Sequence, residues 1–146
     1  MALNARYDHA SYRTFIIVGD GECNEGSVWE AALCAAKHKL NNLTVVVDYN
    51  QYQSYGPTKE VLSLEPFADK WKAFGFAVEE VDGHDVNALR KVFKKLPLQG
   101  DEPTAIICHT LKGKGMSCTE GNMKWHHKSG ISDEEIKELN EALEAV

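Results

Sequence analysis

Four short apolar runs rich in β-branched residues recur along this 146-residue sequence, and segments with helical spacing separate them. The runs are Thr14–Val18, Thr44–Asp48, Phe76–Val81 and Thr104–His109. Continuous apolar runs of this length are typical of strands that are covered on both faces. The helical segments are Ser27–Lys39, Leu64–Phe74 and Asp85–Leu96. Strand and helix in regular succession predict one α/β domain with a parallel, doubly wound sheet.

The two ends of the sequence carry different signals. Ser132–Glu135 fits the capping box of a helix start, and Ile136, Leu139 and Leu143 then form one apolar stripe. We therefore expect a final amphipathic helix. Residues 1–13 have the pattern of the end of a helix and a turn, without a helix start before them.

Composition excludes several classes of partner. The net charge of −6 argues against nucleic acid and against an anionic membrane, because both require a basic surface. No apolar run is long enough to cross a bilayer, and the start lacks a signal pattern, so we expect a cytoplasmic protein. The four cysteines have no CxxC spacing and are expected to be reduced structural thiols: Cys23, Cys34, Cys108 and Cys118.

The first strand ends in Gly19-Asp20-Gly21. Asp-Gly after an apolar run is more often a hairpin turn than a ligand site. Here, however, Glu25–Ala32 has the spacing of a helix and not of a second strand. Asp20 is therefore expected at the carboxyl end of a parallel strand, where open α/β sheets bind ligands. The glycines allow a diphosphate to approach the backbone, and the helix start offers N–H groups to an anion.

Asn50 follows the second strand, thirty residues after Asp20. An isolated asparagine at such a place is usually only a loop former. One strand–helix–strand unit separates the two residues, so both side chains are expected above the same edge of the sheet. A carboxylate and an amide oxygen suit Mg²⁺, which usually takes further oxygens from phosphates and water. The pair predicts a magnesium site, to which a backbone carbonyl just after Asn50 adds a third ligand.

The sequence from Asp20 to Asn50 resembles the thiamine-diphosphate signature of a large enzyme superfamily, and further motifs resemble the transketolases more narrowly. These motifs follow the family's order along the chain: Gly19–Ala32, Lys39–Leu43, Asp82–Asp85, Leu111–Gly115 and Trp125–His126. The resemblance implies thiamine diphosphate as cofactor and ketol transfer between sugar phosphates. It points to the N-terminal subunit of a split transketolase, with residues 1–146 forming the diphosphate-binding domain and lacking the family's first part.

The resemblance also implies roles for individual residues. It assigns Mg²⁺ (or Ca²⁺) to Asp20, Asn50 and the carbonyl of Tyr52. It assigns the cofactor's diphosphate end to Gly19, Asp20, Gly21, Glu22, Asn50, Lys112 and His126. It also implies that His126 is a catalytic residue, which assists proton transfer. A mobile loop and a surface histidine are the plain alternatives for Lys112 and His126. The family usually has glycine after this histidine, whereas His127 stands here, a departure that bears on the local loop geometry.

Glu25 and Glu30 have two interpretations. Acidic residues near a helix start favour the helix dipole, so capping alone would explain them. By resemblance they belong to a catalytic carboxylate network that links the two active sites of a dimer. The helix 27–39 is apolar nearly all round and rich in alanine, which predicts a buried helix and a homodimer contact through it.

By resemblance, the pyrimidine-binding domain is a separate chain, the C-terminal subunit. We therefore expect this chain to be inactive alone. Two further interpretations stay open: another thiamine enzyme, such as a deoxyxylulose-phosphate synthase or a specialised ketol transferase, and a non-catalytic interaction module. The run Glu25–Glu30 favours transketolase, and the intact Asp20 and Asn50 argue against loss of the metal site.

Overall fold

The four apolar runs form one parallel sheet in the computed structural model, which describes residues 1–144. Six strands occur in chain order: β1 (Thr14–Gly19), β2 (Leu43–Tyr49), β3 (Tyr52–Gln53), β4 (Gly56–Pro57), β5 (Ala77–Asp82) and β6 (Thr104–His109). The parallel sheet has the order β1-β2-β6-β5, and β3 and β4 form a separate antiparallel hairpin. All four predicted strands are confirmed, with ends that move by one residue at most.

Helices connect the strands as the spacing of the apolar residues predicts. They are α1 (Ala2–Tyr7), α2 (Gly26–Lys37), α3 (Thr58–Val61), α4 (Phe67–Ala73), α5 (Val86–Lys95) and α6 (Asp133–Glu144). α4 begins three residues later than predicted, because the helical conformation is disfavoured before Pro66. α2 ends at Lys37, and Lys39 takes a left-handed φ of 52°. Asp85 caps α5 by accepting hydrogen bonds from the N–H groups of Asn87 and Ala88.

Both faces of the sheet are covered, which confirms the doubly wound architecture. Successive residues of a strand point to opposite faces, and β6 shows this directly. Ala105 and Ile107 pack in one cluster with Trp71 of α4. Ile106 packs on the other face with Val92 of α5. The near-continuous apolar runs of the sequence therefore reflect helices on either side.

β1 lies at the edge of the sheet and keeps much of its apolar surface exposed. Phe15 is 45% exposed, Ile16 42% and Ile17 76%. In contrast, the central strand β6 is buried along nearly its whole length. An exposed apolar edge strand is typical of a surface that another segment or chain covers.

α6 confirms the predicted capping box. The Ser132 hydroxyl accepts a hydrogen bond from the Glu135 N–H at 3.3 Å, and the Glu135 carboxylate accepts one from the Ser132 N–H at 3.0 Å. The apolar stripe is less buried than its pattern suggests, since Ile136 is 46% and Leu143 59% exposed.

The four cysteines are free, as the sequence predicts. Burial raises the pKa of the Cys23 thiol to about 12 and that of Cys108 to about 11. Both thiols therefore stay protonated and unreactive at neutral pH. Within residues 1–144, no helix combines the length and apolarity that a membrane span requires.

Candidate functional site

The strand register brings the predicted site residues to one edge of the sheet. Gly19 at the end of β1 lies opposite Asp48 of β2, and Tyr49 of β2 lies opposite His109 of β6. The segments that begin at Asp20, Asn50 and Thr110 therefore leave neighbouring strands at the same end. This is the carboxyl edge, where parallel α/β sheets bind their ligands.

Asp20 is completely buried, although it carries a carboxylate. Its oxygens accept hydrogen bonds from the N–H of Gly21 at 2.7 Å and from the N–H of Gln51 at 2.5 Å. Its own N–H donates to the Asp48 carbonyl at 3.2 Å. Burial raises the pKa of Asp20, the two N–H donors oppose that shift, and the nearby Asp48 charge adds to it. A bound cation would compensate this buried charge.

Asn50 is also buried, with 8% of its surface exposed. Its side-chain nitrogen donates to the Asp48 carboxylate at 2.9 Å, and its side-chain oxygen accepts from the Tyr52 N–H at 3.0 Å. The amide oxygen keeps a second lone pair for a ligand. Tyr52 lies opposite Pro57 in the β3–β4 hairpin, beside a pair in which the Thr58 N–H donates to the Gln51 carbonyl at 2.9 Å, so the Tyr52 carbonyl points away from the partner strand.

The donor set at this edge suits a hard cation. One carboxylate, one amide oxygen and one backbone carbonyl leave room for phosphate oxygens and water, which is the usual arrangement for Mg²⁺. Among residues 1–144, no group of three or more His, Cys, Asp or Glu side chains is placed to hold a metal. The predicted ligand set contains only one such side chain, the Asp20 carboxylate, so it would not form a group of this kind. The metal assignment stays a prediction.

The two glycines of the first loop differ in their surroundings. A Cβ on Gly19 would meet nothing within 4 Å, so a ligand has open access to this backbone. A Cβ on Gly21 would lie 2.5 Å from the Cβ of Gln53, so the hairpin itself makes the close approach there. Glu22 lies in the 3-10 turn that follows, and its carboxylate accepts from the Gly19 N–H at 3.3 Å. The backbone contacts of Gly21 and Glu22 to a diphosphate stay predictions.

Trp29 holds this first loop against the core. Its indole N–H donates to the Cys23 carbonyl at 2.8 Å. Its ring lies 5.0 Å from that of Trp71 and 4.8 Å from that of Phe74. Cys23 is itself completely buried, so its side chain and its carbonyl both hold the short loop after Asp20 in place.

Lys112 and His126 lie on the long segment after β6, and Lys112 is close enough to the buried carboxylate of Asp20 to lower its pKa. The positive charge of Lys112 acts to lower the pKa of both Asp20 and His126. The Lys112 carbonyl accepts from the Gly121 N–H at 2.8 Å, and the Tyr52 hydroxyl donates to the Gly121 carbonyl at 3.1 Å. This segment is therefore joined to the loop that carries Asn50.

His126 has a buried Nδ1 atom without a hydrogen-bond partner among the described residues. Burial lowers its pKa, and His127 and Lys112 lower it further, so the imidazole is neutral at pH 7. His127 takes a φ of 56°, the left-handed conformation that glycine favours. Its Nε2 lies 3.1 Å from the Ser54 hydroxyl. The chain therefore keeps a glycine-like backbone at this position despite the histidine.

Comparison with known proteins identifies the family. The family described as "Transketolase, thiamine diphosphate binding domain" matches residues 3–145. The chain belongs to the transketolase family. It is 40% identical to an apulose-4-phosphate transketolase subunit of Phocaeicola vulgatus, over 99% of this chain and 52% of that protein. It is 39% identical to a 6-deoxy-6-sulfo-D-fructose transketolase subunit of a Clostridium species, over 87% of this chain and 46% of that protein.

Solved transketolases share the fold. The transketolase of Campylobacter jejuni superposes with a TM-score of 0.83 at 28% identity, over 98% of this chain and 23% of that chain. Human transketolase is 36% identical over 99% of this chain and 23% of its own length. The chain thus spans about half of the two transketolase subunits and about a quarter of these longer transketolases.

The resemblance to transketolases implies that Glu25 and Glu30 belong to a carboxylate network in a dimer. The structure of a single chain does not test that role. Both side chains are exposed on α2 and its cap. The expected all-round burial of α2 is wrong for this chain alone. Ala32 and Ala35 are buried, whereas Leu33 is 59% exposed. One side of α2 packs in the core, and the other side presents apolar and acidic groups together.

Sequence reasoning missed two residues that support the candidate site. Asp48 holds both Asp20 and Asn50, and the Thr110 hydroxyl donates to the Asp48 carboxylate. A signal for Asp48 was available, because it is the only charged residue in β2 and stands next to the strand end. Thr110 lies 62 residues further on, so only the sheet order reveals its contact.

Proposed function

We propose that this chain is the diphosphate- and metal-binding part of a transketolase, which transfers a two-carbon ketol unit from a ketose phosphate to an aldose phosphate. The observation that carries the proposal is the buried Asp20 carboxylate beside the oriented Asn50 amide. Both occupy neighbouring strand ends in a domain of the thiamine-diphosphate-binding transketolase family. The cofactor supplies the carbon–carbon bond chemistry when it is bound.

The residues of this chain would bind and orient the cofactor. Asp20, Asn50 and the Tyr52 carbonyl would hold Mg²⁺ or Ca²⁺, with the open backbone at Gly19 beside the diphosphate. Lys112 would supply positive charge, which the chain's overall charge of −6 does not provide. His126 would contact the diphosphate, as the family resemblance implies, through a ring atom other than the buried Nδ1. Its lowered pKa leaves it free to accept a proton at neutral pH.

The proposed partner is a second chain that carries the pyrimidine-binding domain. Two relatives are named as transketolase subunits, and this chain spans only about half of them. The exposed apolar surface of β1, above all Ile17 at 76%, is where the family's first part or a partner chain would pack. Sugar phosphates are the proposed substrates.

The names of the relatives favour a second candidate for the substrate. The Phocaeicola vulgatus protein is named for apulose 4-phosphate and the Clostridium protein for 6-deoxy-6-sulfo-D-fructose. A specialised ketol transferase is therefore as well supported as one for the common pentose phosphates. Comparing turnover with several ketose donors in the assembled enzyme would separate the two.

The metal-dependent half of the proposal is tested by calorimetry on the unmodified chain. We expect thiamine diphosphate to bind weakly, with a dissociation constant near millimolar, and only when Mg²⁺ is present. The affinity is low because this chain contacts the diphosphate end alone and leaves the aminopyrimidine in water. Equal heats of binding with Mg²⁺ and with EDTA would contradict the metal site. Thiamine, which lacks the diphosphate, serves as the control ligand.

We expect the exposed side of α2 to form the contact between copies of the chain. Leu33→Arg should then shift a dimer towards monomer without unfolding it, because Leu33 is 59% exposed. Ala32→Arg should instead lower the melting temperature, because Ala32 is 3% exposed and an arginine there would be buried in the core. Sedimentation velocity measures the first effect and thermal unfolding the second.

The matched control for this interface is Val86→Arg. Val86 is also 59% exposed but lies on α5, on the opposite face of the sheet. It should leave the sedimentation coefficient unchanged. A chain that stays monomeric at high concentration before any substitution would remove α2 as a dimer contact.

A further inference from the structure

Asp48 touches both proposed metal ligands with different parts of the same residue. Its backbone carbonyl accepts the Asp20 N–H at 3.2 Å. Its carboxylate accepts a hydrogen bond from the Asn50 side-chain nitrogen at 2.9 Å. The residue thus joins the end of β1 to the loop after β2, which are the two segments that must meet for a metal to be held.

The Asp48 contact fixes which way the Asn50 amide faces. The amide nitrogen meets an acceptor, the Asp48 carboxylate, and the amide oxygen meets a donor, the Tyr52 N–H. A flipped amide would place oxygen against carboxylate and N–H against N–H, so both contacts would become repulsive. In the observed orientation the amide oxygen lies at the Tyr52 N–H and keeps a second lone pair, which a metal ion would require.

Thr110 in turn holds Asp48. Its hydroxyl donates to the second carboxylate oxygen of Asp48, and its N–H donates to the Tyr49 carbonyl at 3.2 Å. Gly83 makes room for it, since a Cβ there would lie 2.5 Å from the Thr110 methyl group. The segment after β6 and the loop that carries Asn50 are therefore connected through one carboxylate.

We infer that Asp48 is a positioning residue, which sets the Asn50 amide for metal binding and is itself held by Thr110. The inference rests on the proposed metal site. One carboxylate oxygen of Asp48 accepts from the Asn50 amide and the other from the Thr110 hydroxyl, so the carboxylate lies between the ligand that it orients and the residue that holds it. Partners of this kind contribute about 10–100-fold to metal affinity.

The test measures Mn²⁺ binding to the chain without thiamine diphosphate, which would itself chelate the ion, from the electron paramagnetic resonance signal of free Mn²⁺. Asp48→Ala should weaken Mn²⁺ binding about 10–100-fold. Asp48→Asn should stay within about threefold, because its oxygen can still accept from Asn50 while the Thr110 hydroxyl turns to accept from its nitrogen. Thr110→Val, which keeps the shape, should weaken binding, and Thr110→Ser, which keeps the hydroxyl, should not.

The variants distinguish two roles of Asp48: positioning the Asn50 amide, and binding the metal directly through its negative charge. If Asp48→Asn binds Mn²⁺ as weakly as Asp48→Ala does, the Asp48 charge binds the metal directly and the inference fails. If Asp48→Ala binds Mn²⁺ like the unmodified chain, Asp48 has no part in the site. Thermal unfolding of each variant shows whether lost affinity only reflects a lost fold, since Asp48→Ala and Asp48→Asn must melt alike for the comparison to support the inference. Asp20→Asn tests the proposed function separately: equal Mn²⁺ binding by this variant would move the metal elsewhere.

Discussion

Replacing Asp20 by asparagine should abolish Mg²⁺-dependent binding of thiamine diphosphate without lowering the stability of the chain. Residues that only support a metal ligand typically contribute about 10–100-fold to affinity, so losing the single carboxylate ligand should cost at least about 100-fold. The fold should survive, because a completely buried carboxylate without a cation carries a desolvation cost that the neutral isostere removes. That gain offsets the loss of one acceptor for the Gly21 or Gln51 N–H.

Two measurements check the Asp20 prediction together. Calorimetry with and without Mg²⁺ gives the cofactor affinity, and thermal unfolding of the metal-free chain should give a melting temperature within about 3 °C of the unmodified protein. Asp101→Asn is the matched control, because its exposed carboxylate pairs with Lys39 and it precedes the start of β6, at the edge of the sheet opposite the proposed site. Retained metal dependence in Asp20→Asn would remove Asp20 from the site.

The sheet and its helices were predictable because their signals are local. β-branched runs and helical spacing lie within single elements, and the capping box of α6 needs only Ser132 and Glu135. The placement of Asp20 and Asn50 also followed, because carboxyl ends of neighbouring parallel strands must meet. The structure confirms the positions of these two residues at one edge.

The parts that sequence reasoning missed depend on contacts between distant segments. The Asp48–Thr110 hydrogen bond exists only because β6 lies beside β2, an order that no spacing reveals. The burial of α2 was wrong for a different reason. Apolar residues all round a helix show that it needs cover, but Leu33 remains 59% exposed because this chain alone does not supply that cover. An apolar pattern in a sequence can therefore predict burial within an assembly that the single chain does not show.

The unmodified chain alone should show no measurable ketol transfer, and the assembled enzyme should recover it. If another chain carries the pyrimidine-binding domain, as proposed, this chain alone fixes only the diphosphate end of the cofactor. A misplacement of about 1 Å can already cost roughly a hundredfold in rate. The assay is ketol transfer from xylulose 5-phosphate to ribose 5-phosphate. It compares the chain alone, the chain with the pyrimidine-domain chain of a split transketolase, and the same mixture with the family's first part joined to this chain.

The Asp20→Asn chain in the complete mixture is the control that assigns the recovered turnover to this chain's metal site. Turnover should appear with the unmodified chain and disappear with the variant, while both assemble equally by sedimentation. Turnover by the chain alone would show that the site is complete within these 146 residues. No turnover in any mixture with xylulose 5-phosphate or with the other ketose donors, with assembly intact, would instead favour a non-catalytic interaction module that keeps the transketolase fold. Because assembly and turnover are measured on the same samples, a failure to associate cannot be mistaken for a failure of the chemistry.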